Sequence, residues 1–370
     1  MKLTIERTAV LRSLSHVQSV VERRNTIPIL SNVLLKAEAD RLTLTATDMD
    51  MEIVEHVPAT IATPGGTTVP AHMLYDIVRK LPEGSQIEFD GDGSTLFVSA
   101  GRSRFKLSCL PVEDFPEMVG GDLPTHFALG ASDLRSMIDR TRFAVSQEET
   151  RYYLNGIFLH GALSGDVGVL RAVATDGHRL ARVEMPLPEG AADMPNVIIP
   201  RKAVLEVRKL IDDTGDNVDI SLSDTKVRFS FNDSVLVSKL IDGTFPDYER
   251  VIPKANDKVL EVDPKIFAGA VDRVATVSAE KSRAVKLDIK PGGLTVSAQS
   301  AEAGSATEEI EVRYDQDPLE IGFNSKYLLD IAAQIDGEGC RLTMADSASP
   351  TIISDAADAS AVYVLMPMRV

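Results

Sequence analysis

Three short phrases recur in this chain, in order and at nearly the same displacement. Ala46-Thr47-Asp48 returns as Ala174-Thr175-Asp176, Val78-Arg79-Lys80-Leu81 as Val207-Arg208-Lys209-Leu210, and Phe115-Pro116 as Phe245-Pro246, with offsets of 128, 129 and 130. An offset this long exceeds the roughly 20–50-residue period of solenoids and matches the size of a whole domain. The chain is therefore expected to repeat a domain rather than to grow one core, and function is to be sought in how similar domains are arranged.

Each repeat reads as a short strand, a helix, strands, a second helix and more strands. In the first, Leu3-Thr4-Ile5 precedes a helical face of Val10, Leu14, Val17 and Val21. Strand candidates follow at 32–36 and 41–45, and Pro70 opens a second helix with Leu74, Ile77, Val78 and Leu81 in register. Alternating runs at 86–89, 96–99 and 104–108 close the unit. The second repeat starts near Thr125, with helices marked by Leu134, Met137 and Ile138 and by Val204, Val207 and Ile211. A third copy is carried by pattern alone, with Phe267, Ala270, Val271 and Val274 on one helix and Leu328, Ile331, Ala332 and Ile335 on the other. Gly, Pro and polar residues at 119–124 and 251–256 read as linkers. The expected architecture is α+β: three similar domains, 1–122, 123–252 and 253–370, each with two helices on antiparallel sheets, since parallel strands would need more crossover helices than the sequence offers.

A net charge of −16 argues against a nucleic-acid partner only if the charge is spread evenly. The expected helices, 8–24, 70–81, 132–143, 200–211, 264–283 and 324–336, hold 17 Lys or Arg against 9 Asp or Glu, a net of +8, so the remainder carries −24. If the helices share a surface, an acidic protein owns a basic face suited to a phosphate backbone; otherwise these are ordinary solvated helix faces. Spacing favours shared faces: Arg12, His16 and Arg23 in one helix, and Arg201 with Arg208 and Lys202 with Lys209, seven apart, in another. No zinc-finger spacing or stacking signature accompanies them, so any duplex would be held without being read.

The chain shows no apolar stretch near the roughly 18 residues of a membrane span and no signal peptide. Cys109 and Cys340 stand apart, as in a reducing compartment, so a cytoplasmic protein is expected. Candidate chemistry is thin. Asp48, Asp50 and Glu52 alternate and would share one face of a strand, either as half of a Mg²⁺ site or as a solvated face. Asp176-Gly177-His178-Arg179 could supply a base and a phosphate clamp, or simply make a turn. Together Asp48, Asp50, Glu52 and His178 define the alternative reading, a metal-dependent phosphoesterase. No catalytic set, resident metal or cofactor is otherwise called for. The C-terminal Met366-Pro367-Met368 is harder to bury in a strand than the Val362-Tyr363-Val364-Leu365 before it, and two flexible thioethers beside a proline suit a groove for apolar peptide anchors.

Arg151-Tyr152-Tyr153-Leu154-Asn155-Gly156, Ala174-Thr175-Asp176-Gly177-His178-Arg179-Leu180, Phe245-Pro246-Asp247-Tyr248 and Met366-Pro367-Met368-Arg369 closely resemble the bacterial DNA polymerase III beta subunit family, the sliding clamps. So do Asn25-Thr26-Ile27-Pro28-Ile29-Leu30 and Val69-Pro70-Ala71, and the resemblance runs in order along essentially the whole chain. It implies a DNA clamp fold, a head-to-tail homodimeric ring around duplex DNA, a clamp loader, and polymerase and repair partners held through short peptides. Matched motif by motif, it implies a partner-peptide groove of Arg151, Leu154, Thr175, Gly177, His178, Arg179, Leu180, Pro246, Arg250, Val251, Tyr327, Val364, Met366, Pro367, Met368 and Arg369. It also places Arg24, Tyr152 and Tyr153 near the duplex, to which charge adds Arg79, Lys80, Arg201, Lys202, Arg208 and Lys209. Glu249 stands where the family is often basic and Ser282 where a bulky group occurs, two departures that bear on peptide preference.

Overall fold

The computed structural model describes the chain except residues 119, 120, 213, 214, 216, 279–282 and 370. Among the described residues there are six α-helices: α1 (Arg7–Val20), α2 (Ala71–Lys80), α3 (Ala131–Asp139), α4 (Arg201–Asp212), α5 (Pro264–Ala275) and α6 (Ser325–Ala332). Local chemistry sets their starts. Glu6 caps α1 by accepting from Ala9 N at 2.9 Å, and Asp263 caps α5 by accepting from Lys265 N and Ile266 N at 2.8 and 2.9 Å. Pro70 and Pro200 each end a strand immediately before a helix.

Most helices are shorter than the periodicity predicts. The first stops at Val20 because Val21 turns extended and Glu22-Arg23-Arg24 carry no apolar face. The fifth stops at Ala275, and residues 279–282, including the departure at Ser282, lie outside the described residues. The observed helices hold 12 Lys or Arg and 7 Asp or Glu, a net of +5, leaving −21 elsewhere in the chain of −16. The segregation keeps its sign and loses part of its size.

The chain divides into two compact units, Met1–Arg135 with Pro188–Ile241, and Ser136–Leu187 with Asp242–Val370. The first unit contains a five-stranded sheet, in the order Thr60–Thr63, Lys2–Glu6, Gln86–Gly91, Thr95–Ala100, Ser103–Ser108. Its second sheet has eight strands, in the order Thr125–Gly130, Asn217–Leu222, Lys226–Ser230, Ser234–Lys239, Met51–Pro58, Arg41–Thr47, Asn32–Glu38, Gly65–Pro70. In the second unit Gly156–Ser164, Val167–Thr175, Arg179–Pro186, Ala361–Leu365, Thr351–Asp355, Cys340–Met344 and Lys258–Val262 follow one another, beside a four-stranded sheet of Gly304–Glu311, Gly293–Ser300, Ala284–Lys290 and Leu319–Asn324. The strand ladders within both units are antiparallel.

Hydrogen bonding thus runs across the repeats. Ser234–Lys239 of the second repeat pairs with Met51–Pro58 of the first, Ser238 facing Met51. Arg179–Pro186 of the second pairs with Ala361–Leu365 of the third, Arg179 facing Leu365. The helices cover these sheets. Val10, Leu14 and Val17 of α1 are fully buried, as are Leu42, Leu44 and Ile53 on the strands that α1 packs against. Burial of such side chains, about 1.5–3 kcal/mol each, is the main force holding helix to sheet.

The repeated phrases explain themselves here. In Ala-Thr-Asp, the Thr hydroxyl donates to a carbonyl four residues on: Thr47 Oγ1 to Met51 O at 2.8 Å and Thr175 Oγ1 to Arg179 O at 2.7 Å. The Asp carboxylate accepts two backbone amides: Asp48 from Asp50 N (3.0 Å) and Met51 N (2.8 Å), Asp176 from His178 N (2.9 Å) and Arg179 N (3.0 Å). Each turn passes through a positive φ, +74° at Met49 and +87° at Gly177. Val78 and Val207 are buried while the Arg-Lys that follows each is partly or wholly exposed, and Phe115 and Phe245 are buried anchors.

Candidate partner groove and nucleic-acid interface

Of the groove candidates, Arg151, His178, Arg179, Leu180, Tyr327, Val364 and Met366 come together in the second unit around the turn Thr175–Arg179. Beyond the strand ladder, Met366 N donates to His178 O at 2.9 Å, and Met368 N donates to Gly322 O at 2.9 Å. The C-terminal tail is therefore pinned at two points, with Met366 exposed and Pro367 and Met368 half-buried. Leu154, Leu180 and Val364 are buried, Leu180 and Val364 facing each other across the ladder. His178 stacks on Tyr327 with ring centroids 6.2 Å apart. Burial raises the Tyr327 hydroxyl pKa, so it stays a neutral donor.

Two arginines shape this place differently. Arg151 leans over Gly177: a Cβ there would stand 2.6 Å from Arg151 Nη1. The same guanidinium pairs with Glu148 at 2.7 Å. Arg179 is 8% exposed and all its nitrogens are committed internally: Nε to Asp176 Oδ2 (3.1 Å), Nη1 to Asp330 Oδ2 (2.5 Å) and Nη2 to Phe143 O (2.6 Å). Its plane also lies 4.3 Å from the Tyr327 ring centroid. Arg179 thus acts by positioning, holding the turn and the Tyr327 ring in place. Pro246, Arg250, Val251 and Arg369 are exposed, and Arg250 pairs with Asp247 at 2.7 Å. Glu249 lies in a network that sequence reasoning missed, because its partners are far apart in the chain. Buried Arg171 donates to Glu184 (2.7 Å), Glu249 (2.7 Å), Tyr248 Oη (3.2 Å) and Leu163 O (3.2 Å).

The basic candidates lie in the first unit, where α1 packs against both α2 and α4. Arg24, Arg79, Lys80, Arg201 and Lys209 are exposed and Arg208 is half-buried. Arg79, Arg208 and Lys209 pair with Asp76 (3.0 Å), Asp212 (2.7 Å) and Glu206 (2.8 Å) on their own helices. The exposed Arg79–Asp76 pair is worth about 0–1 kcal/mol and can yield to a phosphate, whereas Glu206 is buried and Arg208 half-buried. Lys202 differs, with its ammonium turned to Asp48 (2.6 Å), Glu22 (2.5 Å) and Val20 O (3.1 Å). His16, grouped with Arg12 and Arg23 by spacing, is buried and bonded to Glu55 at 2.8 Å. Tyr152 is exposed and meets Tyr153 edge-on in the second unit.

The phosphoesterase reading finds no support. Asp48–Asp50 form the turn before the strand rather than part of it, so the three carboxylates do not share a strand face. Asp48 and Asp50 pair with Lys202 and Lys239, and Glu52 accepts from Met118 N. Among the described residues no group of three or more His, Cys, Asp or Glu is placed to hold a metal, and no helix is long and apolar enough to cross a membrane.

Two sheet edges complete the picture. Ser103–Ser108 ends the five-stranded sheet and exposes Arg104 and Lys106 on alternate positions. Gly304–Glu311 ends the four-stranded sheet and exposes Glu309 and Glu311 in the same alternation.

Comparison with known proteins follows this geometry closely. Residues 1–119, 128–247 and 249–369 match the N-terminal, central and C-terminal domains of the DNA polymerase III beta subunit. The chain belongs to that family. It is 56% identical to the beta sliding clamp of Caulobacter vibrioides and 40% identical to that of Escherichia coli K12, each over the full length of both chains. The sliding clamp of Bartonella birtlesii, solved with griselimycin bound, is 50% identical, and its structure superposes with a TM-score of 0.97 over all of both chains. The family match divides the chain into three successive domains.

Proposed function

We propose that two copies of this chain close head to tail into a sliding clamp around duplex DNA and hold polymerases and repair enzymes on it through short peptides. Its repeats are taken as residues 1–122, 123–252 and 253–370, and it works in the cytoplasm as a tether, with no reaction of its own. The observation that carries ring closure is the pair of unpartnered edges. Joined antiparallel between copies, Ser103–Ser108 and Gly304–Glu311 would set Arg104 and Lys106 opposite Glu309 and Glu311 on one face. Opposite-charge cross-strand pairs contribute about 0.2–1 kcal/mol each, and the pairing removes two exposed edges that otherwise invite aggregation.

Inside the ring, Arg24, Arg79, Lys80, Arg201, Arg208, Lys209, Tyr152 and Tyr153 are the groups proposed to meet the backbone. Such contacts are screened within about 8 Å at physiological salt and exchange readily, so the ring slides. Retention comes from topology instead, because a closed ring leaves only by opening or reaching an end. A polymerase tethered through the groove then rebinds at the high effective concentration of a linked partner.

The test is retention on nicked circular DNA after loading by a clamp loader and a high-salt wash, before and after one linearising cut. Release only after the cut is the expected result. Equal retention on circle and line would mean ordinary surface binding and would sink the ring.

A further inference from the structure

The two seams between repeats carry matching ties built with the charges exchanged. At the first seam, Lys202 in the opening turn of α4 reaches Asp48 in the Ala-Thr-Asp turn (2.6 Å), Val20 O at the end of α1 (3.1 Å) and Glu22 just beyond it (2.5 Å). At the second, Arg179 reaches Asp176 of the equivalent turn (3.1 Å), Phe143 O in the short turn Arg142–Ala144 after α3 (2.6 Å), and Asp330 on α6 (2.5 Å). The same three elements meet each time: the turn, the end of one repeat's first helix, and the second helix of the next repeat. In one seam that last helix supplies the cation, and in the other it supplies the acid. Met51 stands where Arg179 does, facing Ser238 as Arg179 faces Leu365, and it is buried. The first turn therefore offers no cation of its own at that position.

We propose that Lys202 and Arg179 are counterparts, each the cation that ties the Ala-Thr-Asp turn to the helix ends of its seam, beside the pairs Lys239–Asp50 (3.0 Å) at the first seam and Arg140–Asp358 (2.7 Å) at the second, and that Lys202 is a positioning residue of the first seam rather than a phosphate contact. The strand ladders at the seams, with Lys239 N donating to Asp50 O (2.8 Å) and Met366 N to His178 O (2.9 Å), hold the sheet layer together. A ladder alone resists sliding better than it resists rolling of the helix layer. A tie at the helix ends removes that freedom. The Lys202 side chain is 35% exposed and that of Asp48 only 14%, so their pair is less screened than the exposed Arg79–Asp76 pair, at 54% and 47%.

Hydrogen exchange on the full-length protein, read at residues 48–58 and Ser234–Lys239, tests this without any DNA. Lys202→Met keeps the aliphatic stem and removes the charge; exchange there should quicken about tenfold or more, because bonds to charged groups are the strong ones. Lys202→Arg should restore protection. Strands Ala361–Leu365 and Arg179–Pro186 at the other seam should be unaffected, which separates loss of the tie from general unfolding. The slope of DNA affinity against salt should match the parent for both variants, whereas Arg201→Ala or Lys209→Ala should lower it by about one. Unchanged protection in Lys202→Met would overturn the proposal, and so would a salt slope reduced by about one.

Discussion

Replacing Gly177 by alanine tests the groove wall at the level of one methyl group. At φ of +87° an L-residue is strained by about 1–2 kcal/mol. Alanine also stiffens the unfolded chain, which offsets about 0.4–1 kcal/mol of that strain. The new Cβ would lie 2.6 Å from Arg151 Nη1, so the guanidinium must swing off the wall. Its pair with Glu148, with side chains 34% and 55% exposed, contributes at most about 1 kcal/mol. The stability cost is then about 1–2 kcal/mol, a few degrees of melting temperature. With Arg151 as one wall of the proposed groove, peptide binding should suffer as well, by about 1 kcal/mol, or roughly fivefold in Kd. The assay is fluorescence anisotropy of a labelled clamp-binding peptide beside a thermal melt. An unchanged melt would refute the strain argument, and an unchanged Kd would show that Arg151 is no part of the wall. Met49, at φ of +74° in the equivalent turn, is the reciprocal control. Met49→Gly should leave stability level or raise it by about 0.5–1 kcal/mol, as relief of strain outweighs the added chain freedom.

Three further outcomes follow from groups that are hydrogen-bonded, paired or buried. Ser360 and Arg140 hold Asp358 down at about 2 against an ordinary value of 3.8; because the folded value is the lower one, its stabilisation is complete above about pH 4 and is lost as pH falls towards 2, and Asp358→Asn should flatten an acid melt in that window. Arg171→Met strands the half-buried Glu184, whose pKa burial would raise but whose bonds from Arg171 and Ser164 keep low; chemical denaturation should show a loss of about 3–5 kcal/mol, and Arg171→Met with Glu184→Met should lose clearly less. Burial pushes the Cys340 thiol up to about 12, so at neutral pH a thiol reagent should label Cys340 only once the protein is unfolded.

What the sequence made legible was local or repeated. The Ala-Thr-Asp turn closes its bonds within five residues, so its two copies announced both themselves and the repeat. Helix starts were readable at Pro70, Pro200 and Pro264 for the same reason. The strands from Gly156 to Pro186 were not found: Val169–Ala174 is buried continuously, so no alternation distinguishes it from a helix segment. Nor could residue spacing separate Lys202 from Lys209, since seven residues put both on one helix face while Asp48 and Glu22, which claim only the former, lie more than 150 positions away. The groove residues came from shared motifs, and nothing in the spacing showed that Arg179 would be buried with its guanidinium on Asp176, Asp330 and Phe143 O.

The ladder between Ser234–Lys239 and Met51–Pro58 has a consequence for any attempt to take this molecule apart. The segment that evolution duplicated is not a piece the chain can release intact. A fragment cut after residue 122 would lose the neighbour of Met51–Pro58, leaving Ile53 and Val57, now buried, along a raw strand margin. Such a fragment should precipitate or pair with its own kind, and minimal soluble pieces of this protein will have to be cut along its sheets instead of along its repeats.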